Sequence, residues 1–250
     1  MPALVVIPAR YASTRFPGKA LAPLCGKPLI RHVYENCRGA RLADAVVVAT
    51  DSEEIAAAVA AFGGKAVLTS ALHATGTDRV AEAARELDYD IIVNVQGDEP
   101  LMKPEIIDTA IELLEDRRAS IGTTAKRITS TEEILDPNVV KVALDGEGFA
   151  LYFSRAPIPW HRDRWKDLSG VQAAGAALYK HIGIYAYRRE ALLRLSALRP
   201  TALEETERLE QLRALECGMK IKVGQTVHDT WGVDTPEDLE KAERWLNSSS

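Results

Sequence analysis

The sequence predicts an α/β fold: a mostly parallel sheet covered by helices on both faces, with a smaller embellishment after the central strands. Three observations carry this. Short apolar runs rich in β-branched residues recur at 5–7 (Val-Val-Ile), 45–50 (Ala-Val-Val-Val-Ala-Thr) and 91–96 (Ile-Ile-Val-Asn-Val-Gln). Segments of helical character separate them, giving a βαβα rhythm. The runs are apolar throughout rather than alternating, as strands buried on both faces are.

Taken in order, the first strand empties into a loop containing Pro8, Arg10, Ser13, Thr14, Arg15, Pro17, Gly18 and Lys19. Gly26-Lys27-Pro28 then opens a helix, with proline in the first turn where a missing N–H costs nothing. The second strand, 45–50, is followed by a helix capped by Asp51 or Ser52 and ended by Gly63-Gly64. A short third strand at 65–68 precedes a helix over 77–87, and the fourth strand at 91–96 precedes one over 104–114. From about 120 to 187 the rhythm changes. Strand-like runs at 139–144, 150–153 and 182–187 flank a loop-rich stretch at 157–172, read as an excursion from the main sheet. A helix over 205–217 would put Leu209, Leu212 and Leu215 on an apolar stripe opposite Glu207, Glu210 and Gln211. Thr235 caps a last helix, with Pro236 first inside it and Asp238 at capping-box distance; the serines at the end are read as frayed. No internal repeat or low-complexity linker divides the 250 residues, so the expectation is a single, Rossmann-like domain over 1–250.

Composition narrows the function. Net charge is −5 and the isoelectric point near 5.6, which argues against a nucleic-acid or acidic-membrane surface. Cys25, Cys37 and Cys217 have no metal-ligand spacing, and an odd count suits a reducing compartment. With no leader-like segment and no apolar run of bilayer length, a soluble cytoplasmic protein is expected.

Strands of open α/β sheets end where ligands bind. The loop after the first strand carries three cations, two hydroxyls and a glycine at such an edge, a set suited to a triphosphate. It matches neither the P-loop nor the dinucleotide glycine pattern. Asp98, in Gln96-Gly97-Asp98-Glu99-Pro100, falls at the same edge beyond the fourth strand. A carboxylate beside a triphosphate needs a cation between them, and magnesium takes one or two carboxylates and completes its octahedron from phosphates and water. Asp234 precedes the last helix without being needed to cap it, which leaves it to join Asp98. Read alone, Gly-Asp is an ordinary turn and a basic loop an ordinary surface.

The motifs extend the length of the chain: PAR-x-x-S-T-R-x-P-x-K from Pro8, A-T-D-S from Ala49, G-T-D-R from Gly76 and N-V-Q-G-D-E-P from Asn94. They continue with Y-F-S-R-A-P-I-P from Tyr152, K-H-I-G-I-Y-A-Y-R from Lys180, L-E-Q-L-R from Leu209 and G-V-D-T-P-E-D-L from Gly232. Collinear over essentially the whole sequence, this set resembles the CMP-Kdo synthetases, the 3-deoxy-manno-octulosonate (Kdo) cytidylyltransferases of lipopolysaccharide synthesis. The first motif and Q-G-D-E-P are shared with other sugar nucleotidyltransferases, whereas H-I-G-I-Y and L-E-Q-L-R single out Kdo. The resemblance implies attack of Kdo on CTP to give CMP-Kdo and diphosphate. It implies nucleotide contacts from Pro8, Ala9, Arg10, Arg15, Lys19, Gly76, Thr77 and Arg79, with Arg10, Lys19 and Asp98 at the chemistry. Magnesium would sit on Asp98 and Asp234. Kdo would meet Gln96, Arg155, His181, Tyr185, Glu210 and Gln211; His181 and Tyr185, four apart in a strand, share a face. A homodimer is implied too, with the 120–187 excursion serving the sugar site and a candidate for the dimer contact. The alternatives are another CMP-acid-sugar synthetase (sialic acid or 8-amino-Kdo) and a non-catalytic nucleotide-binding regulator.

Overall fold

The structure is a computed structural model that describes residues 1–12, 16–73, 75–173 and 177–248. Nine strands form one sheet: β1 (Ala3–Ala9), β2 (Ala45–Thr50), β3 (Ala66–Leu68), β4 (Ile91–Asn94), β5 (Ile121–Arg127), β6 (Lys141–Leu144), β7 (Ala150–Ser154), β8 (Tyr179–Arg188) and β9 (Ile221–Thr226). The main order is β9-β5-β8-β4-β1-β2-β3, with β6 hydrogen-bonded to β8 and β7. β1 pairs in parallel with β2 and β4, β2 with β3, and β9 with β5; β8 runs antiparallel to β4 and β5.

Residues 3–7 of β1 have no exposed surface, because this strand is central and covered on both faces. Its side chains alternate between two cores. Ala3, Val5 and Ile7 pack with α1 (Leu29–Arg38), α2 (Glu53–Ala61) and α4 (Pro104–Glu112), whereas Leu4 and Val6 pack with α3 (Gly76–Glu86) and α6 (Arg189–Ala197). Each buried aliphatic side chain contributes about 1.5–3 kcal/mol relative to exposure. Between β1 and α1, a small hairpin turns through Cys25 and Gly26, both at positive φ, as a two-residue loop requires. Pro28 is therefore the residue before α1 rather than inside its first turn.

The expected excursion over 120–187 is narrower than the sequence suggested. Both of its ends lie in the main sheet as β5 and β8, and only the stretch between them, with α5 (Thr131–Leu135), β6 and β7, leaves it. β5 (Ile-Gly-Thr-Thr-Ala-Lys-Arg) and β9 (Ile-Lys-Val-Gly-Gln-Thr) lack the apolar run of a buried strand because α4 crosses them closely. A Cβ on Gly122 would lie 2.3 Å from the Ala110 carbonyl oxygen, and one on Gly224 would lie 2.6 Å from Thr109 Cγ2.

The expected single helix over 205–217 is two: α7 (Ala202–Glu207) and α8 (Gln211–Glu216), separated by Arg208 in the left-handed region at φ 56°. The last helix, α9 (Pro236–Ser248), starts as its capping box dictates. Thr235 Oγ1 accepts from the Asp238 amide at 3.3 Å, and Asp238 Oδ2 accepts from the Thr235 amide at 3.2 Å. Among the described residues no helix is long and apolar enough to cross a membrane.

Because the obstacle at Gly122 is backbone, no rotamer change relieves it. Gly122→Ala is expected to lower stability by about 1–3 kcal/mol, read as a fall in melting temperature of about 2–4 °C per kcal/mol. An unchanged melting temperature would mean that α4 is free to back away from β5.

Candidate active site

The carboxyl ends of β1 and β4 open into a polar cavity of about 360 Å³. Pro8, Ala9 and Arg10 line it from β1, and Gln96, Gly97 and Asp98 from the exit of β4. Gly97 is required there: a Cβ would fall 2.6 Å from the Pro8 carbonyl oxygen, so only glycine lets the two strand exits lie side by side.

Lys19 reaches the same place by a looped route. The Gly18 amide bonds back to the Tyr11 carbonyl at 3.0 Å, closing the loop, and Gly18 at φ 70° turns the chain inward. Ser13, Thr14 and Arg15 lie outside the described residues. The Lys19 ammonium then sits 2.6 Å from Asp98 Oδ2 and 3.2 Å from Asp234 Oδ1. Asp234 comes from the loop between β9 and α9, and the Val233 amide donates to the Asp98 carbonyl at 2.8 Å. Two carboxylates from distant segments thus share one cation.

A divalent metal fits this donor set. Both ligating groups are hard oxygens, and the ammonium between them occupies the position of a cation. Among the described residues no group of three or more His, Cys, Asp or Glu side chains gathers as a metal cage. The remaining ligands would have to be phosphate and water, which is magnesium's habit.

The start of α3 adds a wall beside Pro8 and Gln96. Thr75 and Gly76 line the cavity, and Thr75 Oγ1 caps the helix by accepting from the Asp78 amide at 3.2 Å. The sequence held this signal, a Thr-x-x-Asp capping pattern that places the helix start at Gly76. Arg79 also lines the cavity, but its guanidinium is committed to Asp51 Oδ2 at 2.9 Å and Thr69 Oγ1 at 2.5 Å. That pair ties the start of α3 to the ends of β2 and β3. His73, which the sequence reading did not single out, is at the rim, bonded to Glu82.

Glu210 lines the cavity from the junction of α7 and α8. Burial raises its carboxyl above the usual glutamate value, opposed by a hydrogen bond from the Thr77 hydroxyl and by the Arg213 charge. Gln211 does not share this wall; it is buried, as is Leu209, so the expected opposition of polar and leucine faces is lost at the break. Arg155 is not brought to the cavity either. It donates to the carbonyls of Glu207 at 2.7 Å and Pro137 at 2.8 Å, buckling the break from outside, so its guanidinium is occupied by main chain rather than offered to a carboxylate. Arg213 holds the break from inside through Glu204 at 2.8 Å.

His181 and Tyr185 do share a face, with ring centroids 5.3 Å apart despite a bulge between Ile182 and Tyr185. Tyr185 stacks in turn on Tyr187, and none of the three rings lines the cavity. Burial holds the His181 imidazole at about 3. Thr123 Oγ1 gives its proton to the Ile184 carbonyl at 2.6 Å and so accepts from His181 Nε2 at 2.9 Å, which fixes a neutral ring protonated at Nε2.

Glu99 is the other residue the sequence reading passed over. It lies behind Asp98, and burial followed by the Asp98 charge raises its carboxyl to about 8, against a hydrogen bond from Thr230.

Against known proteins, the cytidylyltransferase family model matches residues 4–221. The 3-deoxy-manno-octulosonate cytidylyltransferase of Geotalea uraniireducens is 58% identical over 239 residues, covering 94% of this chain and 95% of its own. That of Geobacter sulfurreducens is 56% identical, covering 94% and 96%. A solved CMP:2-keto-3-deoxy-manno-octonic acid synthetase complexed with CTP superposes with a TM-score of 0.92 at 41% identity, covering 100% of both chains.

Glu99 makes a pH prediction for the metal-free protein. A carboxyl at 4.5 when unfolded and about 8 when folded favours the protonated native state, so its effect is to lower stability as pH rises from about 4.5 to about 8. Glu99→Gln should therefore match the parent near pH 4.5 and melt progressively higher than it toward pH 8. Parallel melting curves across that range would contradict the burial of an acid here.

Proposed function

This chain belongs to the cytidylyltransferase family, and on that premise we propose that it activates Kdo: CTP and Kdo give CMP-Kdo and diphosphate. The observation that carries the reading is the gathering of Lys19, Asp98 and Asp234 in a cavity that Gln96 and Glu210 also line. Cation and carboxylates suit the triphosphate end, and the polar wall suits a hydroxylated sugar.

In the reaction the anomeric hydroxyl oxygen of Kdo bonds to the α-phosphorus while the bond from that phosphorus to the bridging oxygen breaks. Diphosphate leaves with the bridging oxygen, and the hydroxyl proton passes to water. Such a displacement asks mainly for alignment and charge stabilisation. Arg10 and Lys19 hold the phosphates and balance the charge that builds on diphosphate. Pro8, Ala9, Thr75 and Gly76 offer a close main-chain surface for the nucleoside, and Arg79 keeps that surface in place. Gln96 and Glu210 orient the sugar through its hydroxyls, with His181, Tyr185 and Gln211 supporting them from behind. Asp98 and Asp234 would hold magnesium, which when bound polarises the α-phosphate and acidifies the attacking hydroxyl. In that state Lys19 would exchange its two carboxylates for phosphate oxygens, so one site serves an ammonium in the free protein and a metal in the complex. The same reading makes the chain one nucleotidyltransferase unit working as a cytoplasmic homodimer, which sedimentation equilibrium tests.

Turnover of CTP with Kdo and magnesium, followed by diphosphate release against a panel of acid sugars, tests the assignment. Kdo should be the preferred acceptor; diphosphate release with a different acid sugar alone, or CTP binding without release, would overturn it. Asp98→Asn removes charge but little shape. It should lower turnover on the order of 100-fold while leaving the melting temperature near that of the parent. Near-parental activity at saturating magnesium would remove Asp98 from the chemistry.

A further inference from the structure

Lys180 opens the Lys-His-Ile-Gly-Ile-Tyr segment yet has no place in the chemistry above. It lies on β8 directly opposite Lys126 of β5 in the antiparallel register. Like charges at opposed positions destabilise a sheet unless something lies between them. Here the Asp229 carboxylate bonds both ammonium groups, and Lys180 additionally bonds Glu133 of α5. The lysine side chains are largely covered, 26% and 15% exposed, whereas the Asp229 side chain is 42% exposed, so the pairs lie at the edge of solvent. Their charge state agrees: Asp229 is held below the usual carboxylate range by hydrogen bonds to Lys126 and Lys180 that outweigh its burial, and the Lys180 ammonium is held above its usual range by Asp229 and Glu133.

Asp229 also belongs to the loop that carries Asp234. β9 pairs with β5 so that Thr226 stands opposite Lys126, and Asp229 follows three residues later. Beyond it, the Trp231 ring meets the Trp245 ring of α9 edge-on and the Val233 amide bonds the Asp98 carbonyl. The loop is thus fastened at three successive points before Asp234 meets Lys19. The second ties it to α9 and the third to the segment bearing Asp98. Only the first ties it to β5 and β8, and, through Lys180 and Glu133, to the stretch that leaves the main sheet.

We propose that Asp229, gripped by Lys126 and Lys180, is a positioning residue for the reaction: it sets the loop between β9 and α9 so that the Asp234 carboxylate faces Asp98 across one cation. This rests on the reading of Asp98 and Asp234 as the metal carboxylates. Lys126 and Lys180 act through Asp229, and neither touches the cavity.

Two readouts on Asp229→Asn test it. Amide hydrogen exchange of residues 227–234 in the free protein needs neither metal nor substrate, and it should quicken while exchange in β1 and β4 stays as in the parent. Manganese binding in the presence of CTP, followed by electron paramagnetic resonance, should weaken about tenfold, the low end of what outer partners of metal ligands cost. Half-saturating magnesium in turnover should rise in step, with the Michaelis constant for Kdo unchanged. Asp229→Glu, which keeps the charge, should recover most of the loss. Lys126→Met is the second variant should Asp229→Asn fail to fold, with the same signature expected. Unchanged exchange together with unchanged manganese affinity would overturn the proposal. Failure of the parent protein to bind manganese with CTP would instead remove Asp98 and Asp234 as metal carboxylates, and the exchange readout would still decide what Asp229 holds.

Discussion

Two carboxylates brought to one place repel each other unless a positive charge stands between them, and in this protein Lys19 supplies it. Asp98 is fixed by the exit of β4, whose glycine packs on β1, and Asp234 by a loop that bonds the Asp98 main chain. Lys19 is delivered by a loop that doubles back on Tyr11. The partners are 79 and 215 residues away from it in sequence, so the contact exists only when the central strands, the first loop and the approach to α9 are all in place. Side-chain exposures of 14%, 30% and 42% leave water access to the group. The attraction is therefore screened, of the order of about 1–4 kcal/mol per close pair rather than the value of a dry interior. A contact of that strength keeps the carboxylates together and can still be exchanged.

Around this cation, several charged groups are held by main chain or by one another. Arg155 and Arg213 grip the break between α7 and α8 from opposite sides, and Arg208 adopts the left-handed conformation that turns Glu210 toward the cavity. Arg79 is bound to Asp51 and Thr69, and His181 is held neutral by burial with its Nε2 proton on Thr123. These held side chains belong to the motifs that resemble a known family, and of them Arg79 alone lines the cavity. A guanidinium already held by main chain or by a carboxylate must give up that contact to bind a substrate. The groups placed to change partners are Arg10, Lys19, Asp98, Asp234 and Glu210.

Much of this architecture is legible in the residues. The β1 and β2 runs are apolar because both faces are covered, and Thr235, Pro236 and Asp238 announce α9 by capping chemistry alone. Strand ends at one sheet edge are enough to place Lys19, Asp98 and the cavity together. The strands β5 and β9 escape such a reading because α4 lies so close that glycine and threonine replace the expected aliphatics. The break at Arg208 escapes it too. Neither Gly, Pro nor Asn marks the position, and its conformation is imposed by arginines 53 residues before and 5 residues after it in sequence. Arg155 reads as a carboxylate binder for the same reason: a guanidinium looks alike on paper whether its partner is a ligand or a carbonyl three elements away.

The proposal that a metal replaces Lys19 between Asp98 and Asp234 is best tested in the free protein, before any nucleotide is added. If Lys19 occupies the place of a metal, removing its charge should leave the carboxylates repelling one another and open to a divalent ion. Melting temperatures of the parent and Lys19→Met, each titrated with magnesium chloride against an ionic-strength control, measure this directly. Magnesium should stabilise Lys19→Met markedly and the parent little. An equal response of the two proteins to magnesium would contradict the idea that ammonium and metal share one site.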